Sequence, residues 1–260
     1  MRTGVDGIKV RGVTKTFIRD EREFTALSEV DMEVEPGEFY CIVGPSGCGK
    51  STLLNLIAGF EMPTSGTIEA SGEPITGPDR RRVVIFQDSS GALFPWLSAY
   101  ENVTFGPRAC NLPRGEVAQR AERYLAMVGL WQHRHKFPFE LSGGMKQRLQ
   151  IARALANEPA MLLMDEPFAS LDAITKRIMQ REFKRLWEQE RRTVVFITHD
   201  IAEAVDLGNK VAVMSLAPCG HIKEVIDVSE PAMRRGATGF QSVCERMESL
   251  LENLVDPQTA

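Results

Sequence analysis

Apolar and polar residues alternate near the start of the chain, as they do in strands with one buried face. The alternation runs through residues 8–13 and returns in residues 30–34, with a charged stretch around residues 19–23 between them. Charged residues suit an exposed turn, so the two segments are expected to pair. The pattern predicts an antiparallel β layer at the start of the fold.

Four apolar runs further along have the length of buried strands. They cover residues 39–43, 83–86, 161–164 and 193–198, and helix-length segments separate them. The first run leads through a glycine-rich loop into a helical pattern over residues 50–58. Apolar strands joined through helices indicate an α/β fold with a mostly parallel sheet. Ligands of such sheets gather beyond the carboxyl ends of the strands.

Residues from about 88 to 156 are mainly helical in pattern, most clearly over residues 115–128 and 144–156. We interpret them as a helical subdomain inserted into a domain of residues 1–230, which is followed by a tail of residues 231–260. In the tail, one helical face carries Phe240, Val243, Met247, Leu250, Leu251 and Leu254. This helix either packs on its own domain or has a docking or regulatory role. The first alternative is favoured, because amphipathic helices usually bury their apolar stripe in the domain that carries them.

Composition excludes several function classes. The chain has 31 basic and 35 acidic residues, a net charge of −4 and 43% hydrophobic residues. Surfaces built to bind nucleic acid carry a basic excess, so no nucleic-acid partner is expected. The five cysteines lack the spacing of zinc sites or disulfide frameworks, which favours reduced, intracellular thiols. No secretory signal and no apolar run of about 20 residues is evident, so any membrane association is expected to be peripheral.

The glycine-rich loop carries the strongest chemical motif, G-x-x-x-x-G-K-[ST]. The loop consists of Gly44, Pro45, Ser46, Gly47, Cys48, Gly49, Lys50, Ser51 and Thr52, and we call it the phosphate loop. Its glycines let main-chain N–H groups turn toward a phosphate, and the following helix start adds partial positive charge. Lys50 is expected to reach the β- and γ-phosphates of a nucleotide, and Ser51 to bind Mg²⁺. The alternative, a glycine-rich turn with an incidental lysine, is disfavoured by the flanking strand and helix.

Polar residues close three of the other predicted strands. Asp165 and Glu166 follow one apolar run, Gln87 follows another, and His199 lies at the end of a third. In phosphate-loop enzymes an aspartate at a strand end helps to hold Mg²⁺, and an adjacent glutamate can polarise the attacking water. Gln87 beside Mg²⁺ and His199 near the γ-phosphate would complete a phosphoryl-transfer site. Alone, each residue could be a turn, cap or core residue; their shared position at strand ends favours the catalytic interpretation.

A second helix start also has the features of an anion site. Residues 141–148 read Leu-Ser-Gly-Gly-Met-Lys-Gln-Arg, with Ser142 as the predicted N-cap and Gly143 and Gly144 baring main-chain N–H groups. Without the phosphate loop, an ordinary capped helix would be the better interpretation. With it, the chain offers two phosphate-facing surfaces, although a nucleotide needs one phosphate loop. A head-to-tail dimer, in which each copy completes the other's site, is the simplest resolution.

These motifs resemble those of the nucleotide-binding subunits of ABC transporters, in the same order, over residues 8–226. The resemblance implies an ATP-hydrolysing fold in which two ATP molecules lie between the phosphate loop of one copy and the signature, residues 141–148, of the other. It also implies roles for single residues: adenine stacking by Phe17, the glutamine loop at Gln87, the metal and catalytic carboxylates at Asp165 and Glu166, site coupling by Asp172 and the switch histidine at His199.

Short sequence segments at residues 54–60, 95–97, 101–103 and 198–204 resemble those of the nitrate, sulfonate and taurine importer branch. That resemblance implies a peripheral subunit on the cytoplasmic side of the membrane that powers import through a separate permease, with a solute-binding protein in the full system. Residues 93–102 would help to form the groove that grips the permease. Three features depart from the pattern: residues 88–92 are longer than usual, Met145 replaces glutamine, and nothing recognisable follows Asp227.

Three other functions compete with this interpretation. A cassette ATPase that acts on ribosomes or in DNA repair typically has two cassettes or a long coiled coil, whereas this chain has one phosphate loop and no sustained heptads. A regulatory module that binds nucleotide without hydrolysis is disfavoured because Glu166 and His199 are present. An exporter ATPase is the nearest alternative, although exporters often fuse the cassette to membrane helices. Selectivity for the transported substrate is expected to reside in the permease and not in this chain.

Overall fold

The computed structural model describes residues 7–19, 22–88, 91–216, 219–233 and 235–255. Within these ranges the strands are β1 (Ile8–Arg19), β2 (Arg22–Val34), β3 (Phe39–Val43), β4 (Ser65–Ala70), β5 (Glu73–Pro74), β6 (Arg82–Ile85), β7 (Met161–Asp165), β8 (Thr193–Ile197), β9 (Lys210–Ser215) and β10 (His221–Asp227). The helices are α1 (Lys50–Ala58), α2 (Ala99–Ala109), α3 (Arg114–Met127), α4 (Gly143–Ala156), α5 (Ala173–Glu190), α6 (Ile201–Leu207) and α7 (Thr238–Val255), with 3₁₀ turns at Trp131–His133, Pro138–Glu140 and Pro231–Met233.

The chain divides into two compact units. The first consists of Met1–Arg82, Ala160–Asp165 and Arg191–Ala260, and the second of Val83–Pro159 and Glu166–Glu190. Among the described residues, no helix combines the length and the apolar character needed to cross a bilayer.

The first unit begins with the predicted antiparallel layer. β1 pairs with β2 from Ile8 opposite Val34 to Arg19 opposite Arg22, and the sheet has the order β2-β1-β4-β5. The apolar residues of the alternating pattern are buried, as the prediction requires; they include Ile8, Val10, Val13, Val30 and Val34. The charged turn is shorter than expected, because Arg19 ends β1 and Arg22 begins β2, while Asp20 and Glu21 lie outside the described residues.

The other sheet of the first unit is mostly parallel, with the order β10-β9-β3-β8-β7 and only β10 antiparallel to its neighbour among these strands. β3 and β8 are buried along their whole length, as expected of parallel strands covered on both faces. The predicted α/β fold is confirmed. Its strand ends differ slightly from the prediction, because Thr198 follows β8 and Gln87 lies two residues beyond β6.

The second unit is helical. α2, α3 and α4 pack against one another, and α3 turns Val117, Ala121, Tyr124 and Leu125 inward, at the spacing of one helix face. Two predicted helices appear with shifted ends, as α3 and α4. The helical pattern predicted from residue 88 begins later, because α2 starts at Ala99, where Ser98 forms a capping box with Glu101. α5 also belongs to this unit.

α7 packs on α6 and β9 in the first unit. Of the predicted apolar face, Met247 is fully buried, and Phe240, Val243, Leu250 and Leu251 are half-buried. The side chain of Leu254 lies outside the described part of the chain. This packing supports the first of the two interpretations, a helix that stabilises its own domain.

Candidate functional site

The phosphate loop connects β3 to α1, and its geometry requires glycine. Gly47 and Gly49 have φ values of 83° and 91°, a left-handed conformation that strains other residues. A Cβ at Gly44 would lie 2.7 Å from the Met214 carbonyl oxygen, and one at Gly49 would lie 2.5 Å from Leu27 Cδ2. The loop is therefore packed against its neighbours by its main chain, which leaves no room for side chains at these positions.

Lys50 reaches back over the loop that precedes it. The residue is only 8% exposed, and its Nζ donates to the carbonyl oxygens of Gly44 and Pro45, both at 2.8 Å. A buried ammonium group held by neutral carbonyls lacks a counter-charge, and such a charge is stabilised by an anion. The loop thus fits a nucleotide phosphate, which would meet Lys50 and the start of α1.

Cys48 is part of this packing. Its side chain is fully buried, and burial raises the pKa of the thiol, so it stays protonated at neutral pH. A neutral buried thiol is a packing group and a poor nucleophile, which suits a structural residue of the phosphate loop.

Strand register brings Asp165 and His199 to the same edge of the sheet as the phosphate loop. Ile197 of β8 pairs with both Ile42 of β3 and Asp165 of β7, and His199 lies two residues beyond Ile197. The three strands are parallel, so their carboxyl ends lie side by side. Within the first unit, the predicted phosphate, metal and switch positions therefore share one edge.

A hydrogen-bonded network holds the main chain on both sides of His199. Thr198 donates its hydroxyl to the buried Glu203 carboxylate and accepts from the N–H of Asp200 at 3.1 Å. Asp200 in turn caps α6 by accepting from the N–H of Glu203 at 3.0 Å. Thr198 and Glu203 are not among the site residues predicted from sequence. The spacing of Asp200 and Glu203, typical of a helix start, could have indicated the cap but not the buried contact.

Gln87 and Glu166 lie together in the second unit. The Gln87 side-chain amide donates to a Glu166 carboxylate oxygen at 3.2 Å. Glu166 has a φ of 44°, which is uncommon for a residue with a side chain and is frequent at functional sites. The structure thus joins the predicted amide and the predicted catalytic carboxylate.

The signature also lies in the second unit, where Ser142 caps α4 as predicted by accepting from the Met145 N–H at 3.3 Å. Asp172 caps α5, because its carboxylate accepts from the N–H groups of Thr175 at 3.0 Å and Ile174 at 3.2 Å. Hydrogen bonding, chiefly from Thr175, lowers the pKa of Asp172. Asp172 is therefore ionised at neutral pH and tied to its own helix.

Phe17 lies on β1 of the first unit, opposite Phe24 of β2, and is half-buried. The Lys15 Nζ lies 4.8 Å from the centre of its ring. A ring that is partly accessible and already holds a cation can take part in stacking. The structure places this residue on the antiparallel sheet and the phosphate loop on the parallel one.

Metal binding here needs oxygen ligands of several kinds. Within the described ranges, no group of three or more His, Cys, Asp and Glu side chains is arranged to hold a metal ion. A hydroxyl and single carboxylates, supplemented by phosphate oxygens, are ligands that suit Mg²⁺. Ser51, at the start of α1, and Asp165, at the end of β7, offer this donor set and could hold the ion beside a bound nucleotide.

Comparison with known proteins gives a consistent result. A family profile described as ABC transporter matches residues 27–169. The nitrate import ATP-binding protein NrtD of Synechococcus elongatus is 46% identical over 218 residues, 83% of this chain and 79% of the relative. The bicarbonate transport ATP-binding protein CmpD of Synechocystis sp. is 44% identical over 223 residues, 85% of this chain and 78% of the relative.

Solved structures agree in fold. A dimeric ATP-binding cassette in a post-hydrolysis state, bound to ADP and phosphate, superposes with a TM-score of 0.76 at 33% identity over 85% of this chain and 98% of that one. Another neighbour, cbiO1 of Clostridium perfringens, is part of the transporter complex cbiONQ. It superposes with a TM-score of 0.77 at 26% identity over 98% of this chain and 97% of that one.

Proposed function

The chain belongs to the ABC transporter family as an ATP-binding subunit that hydrolyses ATP with Mg²⁺, and from this premise we propose that it powers solute import through a separate permease of the nitrate, sulfonate and taurine type. The observation that carries the proposal is the 46% identity to a nitrate import ATP-binding protein over most of both chains. The proposed ATPase domain spans residues 1–230, with the helical insertion at about residues 88–156, and residues 231–260 form its tail.

In the proposed site, groups at strand and helix ends have separate roles in hydrolysis. The phosphate loop, with Lys50, holds the phosphates, and Phe17 stacks on the adenine. Ser51, Asp165 and Gln87 would hold Mg²⁺, and the ion would supply positive charge to offset the charge of the phosphates. Glu166 orients the attacking water, and His199 contacts the γ-phosphate. These roles suit an enzyme that catalyses by positioning and electrostatics.

The proposed functional unit is a head-to-tail dimer. Ser142, Gly143 and Gly144 open α4, and a helix start is suited to bind the γ-phosphate of a nucleotide held by the other copy. Asp172, beside this segment in the second unit, couples the two sites. The dimeric relative bound to ADP and phosphate supports this arrangement.

The proposed permease contact lies in the second unit, at residues 93–102. Trp96 is 70% exposed, and its ring lies 5.6 Å from that of Phe94. The buried Asn102 shapes this loop, since its side chain accepts from the Phe94 N–H at 2.9 Å and donates to the Leu97 carbonyl at 2.9 Å. An exposed aromatic ring on a fixed loop suits a protein interface. A solute-binding protein completes the proposed system, which lies at the cytoplasmic side of the membrane; no nucleic acid takes part.

Glu166→Gln tests the ATPase part of the proposal. The variant keeps the size of the side chain and removes the carboxylate, so ATP binding should persist while turnover falls to background. Size-exclusion chromatography with ATP should then show a trapped dimer. A monomer under these conditions, or wild-type turnover, contradicts the assigned dimer or the assigned role of Glu166.

Import is tested by complementation. A Synechococcus elongatus strain that lacks its nitrate import ATP-binding protein is supplied with this chain, and nitrate uptake is measured. We expect uptake with the wild-type chain and none with Glu166→Gln. Equal uptake with both chains contradicts ATP-driven import by this subunit.

A further inference from the structure

Two buried amides on α4 face the main chain of Phe86. Gln150 is 4% exposed, and its amide is assigned the orientation in which both of its polar atoms find a partner: the nitrogen donates to the Phe86 carbonyl at 3.1 Å and the oxygen accepts from the Phe86 N–H at 2.8 Å. Gln147, 1% exposed, donates to the same carbonyl at the longer distance of 3.4 Å. Gln150 therefore pairs with both main-chain groups of Phe86, as a residue on a neighbouring strand would.

The position of Phe86 gives this contact its importance. Phe86 follows the end of β6 and directly precedes Gln87, whose amide donates to Glu166. Gln87 is exposed, so packing contributes little to its orientation. Beyond a strand end, the direction of a side chain depends on the peptide units before it, and here Gln150 contacts both peptide units that flank Phe86.

The chemistry of α4 supports a specific role. Apart from Gln147 and Gln150, the buried residues of this helix are apolar, among them Leu149, Ile151 and Ala154. A leucine or methionine at position 150 would fit such surroundings, whereas an amide is costly to bury unless it is fully hydrogen-bonded. Gln150 meets this condition with two good hydrogen bonds to one residue.

We propose that Gln150 is a positioning residue that acts on hydrolysis through Gln87. By clamping Phe86, it fixes the glutamine loop to the helix whose first turn carries Ser142 and the signature. The signature lies at the start of α4, and Gln87 is attached to α4 through Phe86. Gln87 and the signature then move together. The inference rests on the proposed function in one respect, the role of Gln87 in hydrolysis.

A double-mutant cycle on the full-length chain tests the proposal. Gln150→Met keeps the volume of the side chain and removes both hydrogen bonds. We expect kcat for Mg²⁺-dependent ATP hydrolysis to fall about tenfold, as misplaced catalytic groups typically cause, with KM for ATP nearly unchanged. Gln87→Ala should lower kcat by at least as much. Adding Gln150→Met to Gln87→Ala should cause no further loss, because the group that Gln150 positions is already absent.

Amide hydrogen exchange provides a readout that does not depend on catalysis. Gln150→Met removes the hydrogen bond from the Phe86 N–H to Gln150, so exchange of that N–H should become faster while exchange in β3 and β8 stays unchanged. Gln150→Glu, which retains an acceptor for that N–H and loses the donor, is the second variant should Gln150→Met not fold, and kcat should fall in it too. Gln180→Met removes another buried amide of the second unit, on α5, and should leave kcat near the wild-type value.

The outcomes separate the clamp from the proposed function. Wild-type kcat in folded Gln150→Met, losses that multiply in the double variant, unchanged exchange at Phe86, or an equal kcat loss in Gln180→Met would each overturn the role of Gln150 alone. Wild-type kcat in Gln87→Ala would contradict the role of Gln87 and, with it, the function proposed for this part of the site.

Discussion

At the scale of single residues, three segments of the first unit meet so closely at the phosphate loop that Gly220 has no room for a side chain. A Cβ at Gly220, in the connection between β9 and β10, would lie 2.2 Å from the Cys48 carbonyl oxygen and 2.6 Å from that of Ala26. The main chain of Gly220 also donates to Ala26 at 3.2 Å and accepts from Ser28 at 2.9 Å. The loop is thus supported from outside by a residue far away in sequence.

Gly220→Ala should weaken ATP binding more than its small size suggests. The added methyl group must displace the main chain at Cys48, which belongs to the loop proposed to hold the phosphates. We expect KM for ATP to rise about fivefold, in line with the cost of misplaced binding groups, with a lower melting temperature. Gly77→Ala is the control, because a Cβ there has no neighbour within 4 Å. The same KM in both variants would contradict the support assigned to Gly220.

The cysteines should differ in reactivity. Burial raises the pKa of Cys48, which reduces the fraction of reactive thiolate, whereas Cys110 is exposed. Iodoacetamide should therefore modify Cys110 first, and Cys48 at least about tenfold more slowly. Mass spectrometry of the digested protein measures both rates. Faster modification of Cys48 would mean that the loop opens on the timescale of labelling.

At the scale of elements, several candidate site residues lie at or beside capped helix starts. Ser142, Asp172 and Asp200 accept main-chain N–H groups at the starts of α4, α5 and α6. The capping box of Ser98 and Glu101 does the same for α2, directly after the loop that presents Trp96. Each cap satisfies N–H groups that have no partner within the helix. Functional segments of this protein therefore stand next to stable helix starts.

The Glu101 cap should make stability depend on pH. Hydrogen bonds from Ser98 lower the pKa of Glu101 below its unfolded value of about 4.3. A lowered folded pKa contributes stability that is complete above the unfolded pKa and is lost as pH falls through the folded one. Glu101→Gln should therefore melt below the wild type at pH 7, and the difference should shrink below about pH 4. Glu122→Gln, at an exposed position on α3, is the matched control for the loss of one carboxylate.

At the scale of the whole molecule, the candidate residues are divided between the two compact units. The first holds Phe17, the phosphate loop, Asp165 and His199; the second holds Gln87, the signature, Glu166 and Asp172. The unit boundary passes between Asp165 and Glu166, which are neighbours in sequence. The carboxylates proposed to bind the metal and to orient the water thus belong to different units.

The dimer proposed for this molecule predicts a concentration dependence. If each site needs groups from two copies, the hydrolysis rate at saturating ATP should rise faster than in proportion to protein concentration while monomers predominate. It should become proportional once dimers form. Glu166→Gln, measured over the same range, controls for a contaminating ATPase and should remain at background. Strict proportionality throughout would contradict a site completed by a second copy.

Much of the fold and the motif positions follow from sequence because they depend on local physics. The bounds of α1 match the predicted residues 50–58, and the Ser142 cap was predicted from a side chain three residues from its partner. Continuous apolar runs predicted β3 and β8, since strands covered on both faces have no polar side. The late start of α2 was missed, because the capping box at Ser98 overrides the helical character of the residues before it.

The sequence alone therefore determined the antiparallel pair, four strands of the other sheet, the phosphate loop and the family, all of which are encoded in short runs of neighbouring residues. Only the tertiary structure decided that Gly220 supports the loop, that Glu203 holds Thr198 beside His199, and that Gln150 clamps Phe86. The Gly220 and Gln150 contacts join residues that are distant in the chain. The Glu203 and Gln150 contacts bury polar groups, and the Gly220 contact leaves no room for a side chain. Their energies depend on which surfaces meet, and no local pattern of apolar and polar residues contains that information.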